Sequence, residues 1–276
     1  MPQPYTSLER PPLNEAALRR ALVRQGSVWS EVRVVPETGS TNVDVAAAAQ
    51  AGAREGLVLV TEYQAAGRGR MGRGWASPPY AGLTFSLLVR PNGVPTARRG
   101  WLPLLAGVAV VDALRTLAEI DAGLKWPNDV LSEGRKKVCG ILAETVGDAV
   151  VVGIGLNVTT RRGELPPDRP DSSSLALEGA ACLDREPLLK AVLRGFAARY
   201  EAWREAAGDP EASGLRAAYL ERCTTLGQPI RAELPGGGEI TGMASDVDGD
   251  GRLVITTADG EEALAAGDVH HLRPAT

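Results

Sequence analysis

The stretch TEYQAAGRGRMGRGW, residues 61–75, keeps every arginine beside a glycine from Gly67 to Gly74. Glycine lets a backbone turn through positive φ. Planar guanidinium forks donate paired, charge-assisted hydrogen bonds to phosphate or carboxylate, each worth roughly 1.5–3 kcal/mol. Arg68, Arg70 and Arg73 are thus three forks able to wrap an anion the size of a nucleotide. A solvated basic loop or an RNA-binding patch has the same composition, so this stretch alone leaves those readings open. Ordering such a segment costs on the order of 1–2 kcal/mol per residue, which predicts a loop that stays mobile until its ligand arrives.

Outward from the loop, Leu57–Glu62 is an apolar strand that delivers Gln64, and Gly82–Arg90 alternates as its neighbour. Trp75, between them, either plugs the core or stacks on a ligand ring. Upstream, Asn14–Gln25 predicts a helix capped by Asn14 and stopped by Gly26, and Glu31–Pro36 a short strand. Val43–Ala51 predicts an alanine-rich helix. Ser40 or Thr41 suits its N-cap, and the Ser40-Thr41-Asn42 turn also offers hydroxyls, an amide and free N–H groups to a small polar ligand. Residues 1–12, with four prolines, predict an irregular lead-in.

Downstream, Trp101–Ala118 is apolar nearly all round and predicts a buried helix; its longest apolar run, Trp101–Val111, is too short to span a bilayer. KWPND, residues 125–129, predicts a strand ended by Pro127, with Asn128 and Asp129 in the turn beyond it. Turn chemistry explains the Asn-Asp pair but not the bracketing lysines, Lys125 before it and Lys137 where the next strand begins. Val138–Val158 fits a hairpin bent at Gly147-Asp148. Gly153 and Gly155 in its second arm imply that something approaches that backbone closely, and Asn157 ends the arm. Cys139 reads as a small strand residue, since nothing nearby in sequence would activate a thiolate. A proline-rich loop over 159–174 precedes helices at Pro187–Ala207 and Glu211–Arg222. From Thr225 the pattern changes to short strands with turns at Pro235–Gly238, Asp248–Gly251 and Asp259-Gly260, spaced as in a small barrel. Asp246, Asp248 and Asp250 only faintly suggest a calcium loop, because no bidentate glutamate follows.

Composition narrows the function. The 276 residues are 44% hydrophobic and 23% charged, as in an ordinary globular protein. A net charge of −4 argues against nucleic acid as the main partner, so the arginine cluster is a local feature. Cys139, Cys182 and Cys223 are odd in number and far apart, which predicts reduced thiols in a cytoplasmic protein. His270 and His271 are the only histidines, too few for a histidine metal site or a Ser-His-Asp engine. The first twelve residues lack the basic and apolar regions of a signal peptide.

Taken together, Ser40-Thr41-Asn42, Gln64, the GRGRMGR run with Trp75, KWPND, Lys137 ahead of GILAE, and GIGLN resemble the biotin protein ligases. Each motif alone is weak; the combination is specific and covers nearly the whole chain. The resemblance implies an α+β fold: a mixed β-sheet with flanking helices, like the class II aminoacyl-tRNA synthetases, over residues 1–222. A small SH3-like β-barrel would follow over 223–276. It implies two steps. ATP activates biotin as biotinyl-5′-adenylate with Mg²⁺ and releases pyrophosphate; a lysine of the biotin carboxyl carrier domain of an acyl-CoA carboxylase then attacks the mixed anhydride. That chemistry needs converging positive charge and no side-chain nucleophile.

Residue by residue, the resemblance puts Ser40, Thr41 and Asn42 at the ureido and ring end of biotin, with Gln64 nearby. Arg68 and Arg70 would close over the phosphate while Gly67 and Gly69 give backbone access, Trp75 would stack on adenine, and Arg73 would face the polyphosphate. Lys137, three residues before Gly140, would meet carboxylate and phosphate. Lys125, Asn128 and Asp129 would line the nucleotide side, and Asn157 the adenosine. Many relatives carry an N-terminal DNA-binding domain. Here the residues before Ser40 already hold a helix and a strand of the catalytic unit, so DNA binding is not expected, nor is a membrane partner; a homodimer is left open. A lipoate ligase or octanoyl transferase of the same fold, and a nucleotide-responsive binding protein without turnover, remain as alternatives.

Overall fold

Asn14 accepts a hydrogen bond from Ala17 N (3.0 Å) and so starts α1 (Glu15–Leu22), whose Leu18 and Leu22 are buried. The computed structural model describes residues 10–272 except 134 and 235; most of the lead-in expected over 1–12, and Pro235 of the expected turn, lie outside the described residues. The chain continues through β1 (Glu31–Val35), α2 (Thr41–Gln50), β2 (Leu57–Thr61), β3 (Gly82–Val89) and α3 (Trp101–Ala113). β4 (Gly123–Lys125), β5 (Asp129–Leu131), β6 (Lys137–Val146) and β7 (Ala149–Asn157) complete one seven-stranded sheet, ordered β1-β2-β3-β7-β6-β5-β4. β1 and β2 run parallel and every other neighbouring pair is antiparallel, which makes the sheet mixed.

The KWPND reading needs a correction. Lys125 and Asp129 are cross-strand partners of a β4–β5 hairpin whose turn is Trp126-Pro127-Asn128, with a cis bond between Trp126 and Pro127. Asp129 therefore opens a strand and does not lie in the turn. Strands of three residues carry no periodicity to read.

One face of the sheet is covered by α1, α3 and α4 (Arg185–Glu205), and α5 (Leu215–Arg222) packs on α3. In α3 only Pro103 and Asp112 escape full burial, which explains its all-round apolarity. With its flanking turns the helical stretch Thr96–Ala118 is longer than the apolar run suggested, long and apolar enough by composition to cross a membrane; 72% of that window is packed inside the protein. The other face carries α2, whose Val45 and Ala49 cover Leu57, Leu59, Leu88 and Val151.

The C-terminal strands β8 (Pro229–Glu233), β9 (Glu239–Val247), β10 (Leu253–Thr257), β11 (Gly260–Leu264) and β12 (Asp268–His271) form an antiparallel sheet ordered β11-β10-β9-β8-β12. Two tryptophans of the first unit fasten it, Trp101 Nε1 to Gly249 O (3.0 Å) and Trp126 Nε1 to Gly251 O (3.1 Å). Asp248 caps the β9–β10 turn by accepting from Asp250 N (2.9 Å) and Arg252 N (3.0 Å), which accounts for the faint calcium-like spacing.

Candidate active site

The Gly/Arg segment pairs with itself. Trp75 N donates to Gly67 O (2.9 Å), Arg68 and Gly74 form an antiparallel bridge, and Gly69 N donates to Arg73 O (2.6 Å). Met71 (φ 54°) and Gly72 (φ 73°) turn the tip through two successive left-handed residues, and glycine takes the second without steric cost. The tip is also tied to the start of β12. Arg70 donates to Gly267 O (3.2 Å), and Arg73 pairs with Asp268 (2.7 Å). These links offset part of the ordering cost on which the expected mobility rested. The base is anchored by Glu62, buried with Arg185 at 2.5 Å and accepting from Leu13 N at 2.7 Å.

Ser40 stands at the N-cap of α2, yet its hydroxyl makes no capping bond and is buried with no partner among the described residues. The cap comes instead from Gln64, whose Oε1 accepts from Thr41 N (2.8 Å), so the helix starts two residues earlier than its alanine run predicts. Asn42 is held on three sides. It donates to Glu144 (2.7 Å) and to Leu142 O (3.2 Å), and accepts from Ser86 Oγ (2.6 Å).

The expectation that something approaches Gly153 and Gly155 has a specific answer: the approaching groups are the protein's own. A Cβ on Gly153 would stand 2.1 Å from Asn42 Oδ1, and one on Gly155 would stand 2.3 Å from Cε2 of Trp75. Gly155 is the cross-strand partner of Gly140, whose own Cβ would stand 3.2 Å from the indole. The Trp75 ring therefore rests on a bare glycine pair of β6 and β7, half-buried, its Nε1 without a partner among the described residues.

Lys137, first residue of β6, pairs with Asp129 at 2.6 Å, while Arg70 donates to Asn128 Oδ1 (3.2 Å). Two cations from distant segments thus meet two adjacent residues, the last of the β4–β5 turn and the first of β5. Burial pushes the Arg70 guanidinium below its ordinary value, and Asp129 and Asp268 act the other way. Burial would raise Asp268, but the hydrogen bond and charge of Arg73 prevail and hold it below the usual carboxylate range.

These residues enclose an inner cavity of about 50 Å³. Ser40, Thr41, Asn42, Gln64, Arg68, Gly69, Arg70, Arg73, Trp75, Asn128, Lys137 and Gly140 all line it. An outer cleft of about 930 Å³ shares Arg68, Arg70, Arg73 and Asn128 with it and extends to Glu144 and Asp250. Gly67, Asp129, Lys125 and Asn157 are not among the lining residues. Gly67 and Asp129 brace their neighbours, Lys125 acts on Asp268 and His271 across the seam with β12, and Asn157 donates to Ser173 O (3.0 Å). Sequence reasoning missed Thr84, Phe85, Ile154 and Arg169 in the wall. The first three sit on strands and read as core; Arg169 sits in a loop without a motif. Cys139 is fully buried and its thiol is pushed well up by burial, which agrees with a structural role.

Residues 34–159 match the biotin/lipoate A/B protein ligase family and residues 225–272 the biotin protein ligase C-terminal domain. A biotin–[acetyl-CoA-carboxylase] ligase of Mycobacterium tuberculosis is 45% identical over 268 residues, 96% of this chain and 97% of its own. This chain belongs to the biotin protein ligases. A ligase of that name from Paracoccus denitrificans is 34% identical over 86% of this chain and 98% of its own. Among solved structures, the biotin protein ligase of Aquifex aeolicus in complex with biotin and ATP superposes with a TM-score of 0.72 at 30% identity, covering 89% of this chain and all of that one. The biotin protein ligase architecture explains why the mixed sheet and the small antiparallel sheet occur together here.

Proposed function

We infer that this chain is an ATP-dependent biotin protein ligase. It activates biotin as biotinyl-5′-adenylate and transfers the biotinyl group to a lysine of a biotin carboxyl carrier domain. The geometric observation that carries the chemistry is that five cations, Arg68, Arg70, Arg73, Lys137 and Arg169, and no carboxylate line the inner cavity among the described residues. Such a wall lowers the repulsion between a carboxylate nucleophile and the α-phosphate it attacks, and it stabilises the charge that spreads over the phosphoryl oxygens. In the second step the carrier amine attacks the acyl carbon and AMP leaves with the bonding pair.

Arg70 and Lys137, brought together at Asn128-Asp129, support the reading in which both hold the carboxylate and phosphate. The unpartnered Ser40 hydroxyl and the fixed Asn42 support binding of a small polar ring beside Gly153. Trp75 on its glycine pair supports a stacking role that requires the ring to lift from the sheet or to receive a base on its outer face. With no carboxylate in the inner wall, Mg²⁺ fits as an ion brought in on the phosphates of ATP. The acidic net charge and the three free cysteines support a cytoplasmic protein that does not act on DNA.

The test is reconstitution. Purified protein, biotin, ATP and Mg²⁺ should release pyrophosphate, and an added carrier domain should gain the mass of one biotinyl group on a single lysine. No pyrophosphate and no mass gain, or a gain with lipoate in place of biotin, would reject the assignment.

A further inference from the structure

The end of the cavity formed by the start of α2 rests on a chain of hydrogen bonds that runs back into the sheet. On β3 the Ser86 side chain is fully buried, its Oγ 2.7 Å from Thr41 Oγ1 and 2.6 Å from Asn42 Oδ1. Through Nδ2, Asn42 in turn reaches Glu144 Oε2 (2.7 Å) and Leu142 O (3.2 Å) on β6. Thr41 and Asn42 line the cavity, and both are buried. Ser86 lies behind them and is not part of the wall.

Counting protons gives the chain a direction. A carbonyl and a carboxylate only accept, so the Asn42 amide turns Nδ2 to Leu142 O and Glu144 and leaves Oδ1 facing Ser86. Oδ1 has no proton to give, so the Ser86 hydroxyl donates to it. A hydroxyl carries one proton; at the 2.7 Å contact Ser86 therefore accepts and Thr41 donates. Thr41 then has nothing left to donate. Its hydroxyl oxygen lies 3.1 Å from Gln64 Oε1, two acceptors side by side, while that same Oε1 accepts from Thr41 N at 2.8 Å. Thr41 thus offers a ligand lone pairs only, and Gln64, its oxygen taken by the helix start, offers only the N–H groups of Nε2.

We propose that Ser86, which lies outside the wall, is a positioning residue that sets the specificity of this end of the cavity. By drawing the Thr41 proton inward and away from the ligand, it makes Thr41 an obligate acceptor, and the subsite then takes a ring N–H at Thr41 beside a carbonyl at Gln64. A cyclic urea presents that pair. A dithiolane ring presents neither, and binding it would leave the polar groups of the wall unpaired, which is how a hydrogen-bonding site rejects an analogue. Asn42, held by Glu144 and Leu142 O, fixes the direction of the chain from its far end. The inference rests on the reading of the cavity as the biotin site.

The experiment titrates biotin calorimetrically into the full-length wild type, Ser86→Ala, Thr41→Val and the double variant. It repeats the titrations with two analogues in which one or the other ring N–H is replaced by an oxygen, and measures the ATP Michaelis constant at saturating biotin. Loss of the fixed acceptor predicts for Ser86→Ala a biotin affinity weaker by about tenfold and an ATP Michaelis constant within about twofold of wild type. Wild type should reject at least one analogue by about a hundredfold or more. In Ser86→Ala the Thr41 hydroxyl is released to turn its proton to the ligand, so that ratio should fall by about fivefold or more, whereas a merely loosened site would weaken biotin and analogue alike. In the Thr41→Val background Ser86→Ala should change biotin affinity by less than about twofold, because its effect passes through that hydroxyl. Ser86→Cys, which keeps a weak donor, should fall between wild type and Ser86→Ala, and it carries the comparison if the alanine variant does not fold. Wild-type biotin affinity in Ser86→Ala, an unchanged analogue ratio, or full additivity with Thr41→Val would overturn the proposal. A wild type that binds neither biotin nor the analogues would overturn the proposed function, and this inference with it.

Discussion

Replacing Gly153 by alanine puts one methyl group where the structure has none to spare. The new Cβ would stand 2.1 Å from Asn42 Oδ1 and 2.9 Å from its Cγ, both inside the shortest contacts that carbon makes. A flexible side chain would swing away cheaply, but Asn42 is 4% exposed and bonded to Ser86, Glu144 and Leu142 O. To move, it must give up those three hydrogen bonds, each worth about 0.5–1.5 kcal/mol net, so the substitution should cost about 2–4 kcal/mol. For a domain of this size that lowers the melting temperature by roughly 5–15 °C. Because Asn42 borders the cavity, biotin binding should weaken in parallel. The assay is thermal unfolding and biotin calorimetry of Gly153→Ala, Asn42→Ala and the double variant. If the collision is the mechanism, alanine at 153 costs much less once Asn42 is gone, giving a coupling energy above about 1 kcal/mol. An additive double variant, or Gly153→Ala with wild-type stability, would refute the reasoning.

Lys137→Ala and Arg70→Ala should each slow adenylate formation or release the adenylate more than about tenfold faster, since each removes a charge-assisted contact to phosphate; unchanged single-turnover rates and retention in both would remove them from the site. His271 should make stability pH-dependent. Burial first, then the charges of Lys125 and Arg135, lower its pKa from 6.5 to about 4. Below 6.5 the unfolded chain binds the proton that the folded chain refuses, so stability is level above that pH and falls as pH drops toward 4. Urea midpoints between pH 5 and 7.5 should show that slope, and His271→Gln, keeping a polar atom near Thr225, should flatten it.

Much of the site was legible because its signals are local. Arginines alternating with glycines offer forks to an anion, a reading that the stretch alone left beside a solvated basic loop, and Lys125 and Lys137 stood out because turn chemistry did not need them. Asn157 illustrates the limit: the pattern that ends β7 with an asparagine says nothing of where its amide points, and the amide bonds Ser173. Arg169 illustrates another, since a lone arginine in a proline-rich loop looks like any solvated charge until the loop is hung from Lys137.

By itself the sequence determined most helices, the longer strands and the family, because alternation, helical repeats, caps and short motifs are properties of residues close together in the chain, whereas the three-residue β5 was out of its reach. Tertiary structure decided what fills the spaces those motifs leave. The register of β3 and β6 against β7 sets Asn42 over Gly153 and Trp75 over the Gly140–Gly155 pair, and Gln64 caps a helix from the far side of a strand. Such contacts depend on steric fit between segments remote in the chain, and no local pattern encodes that fit.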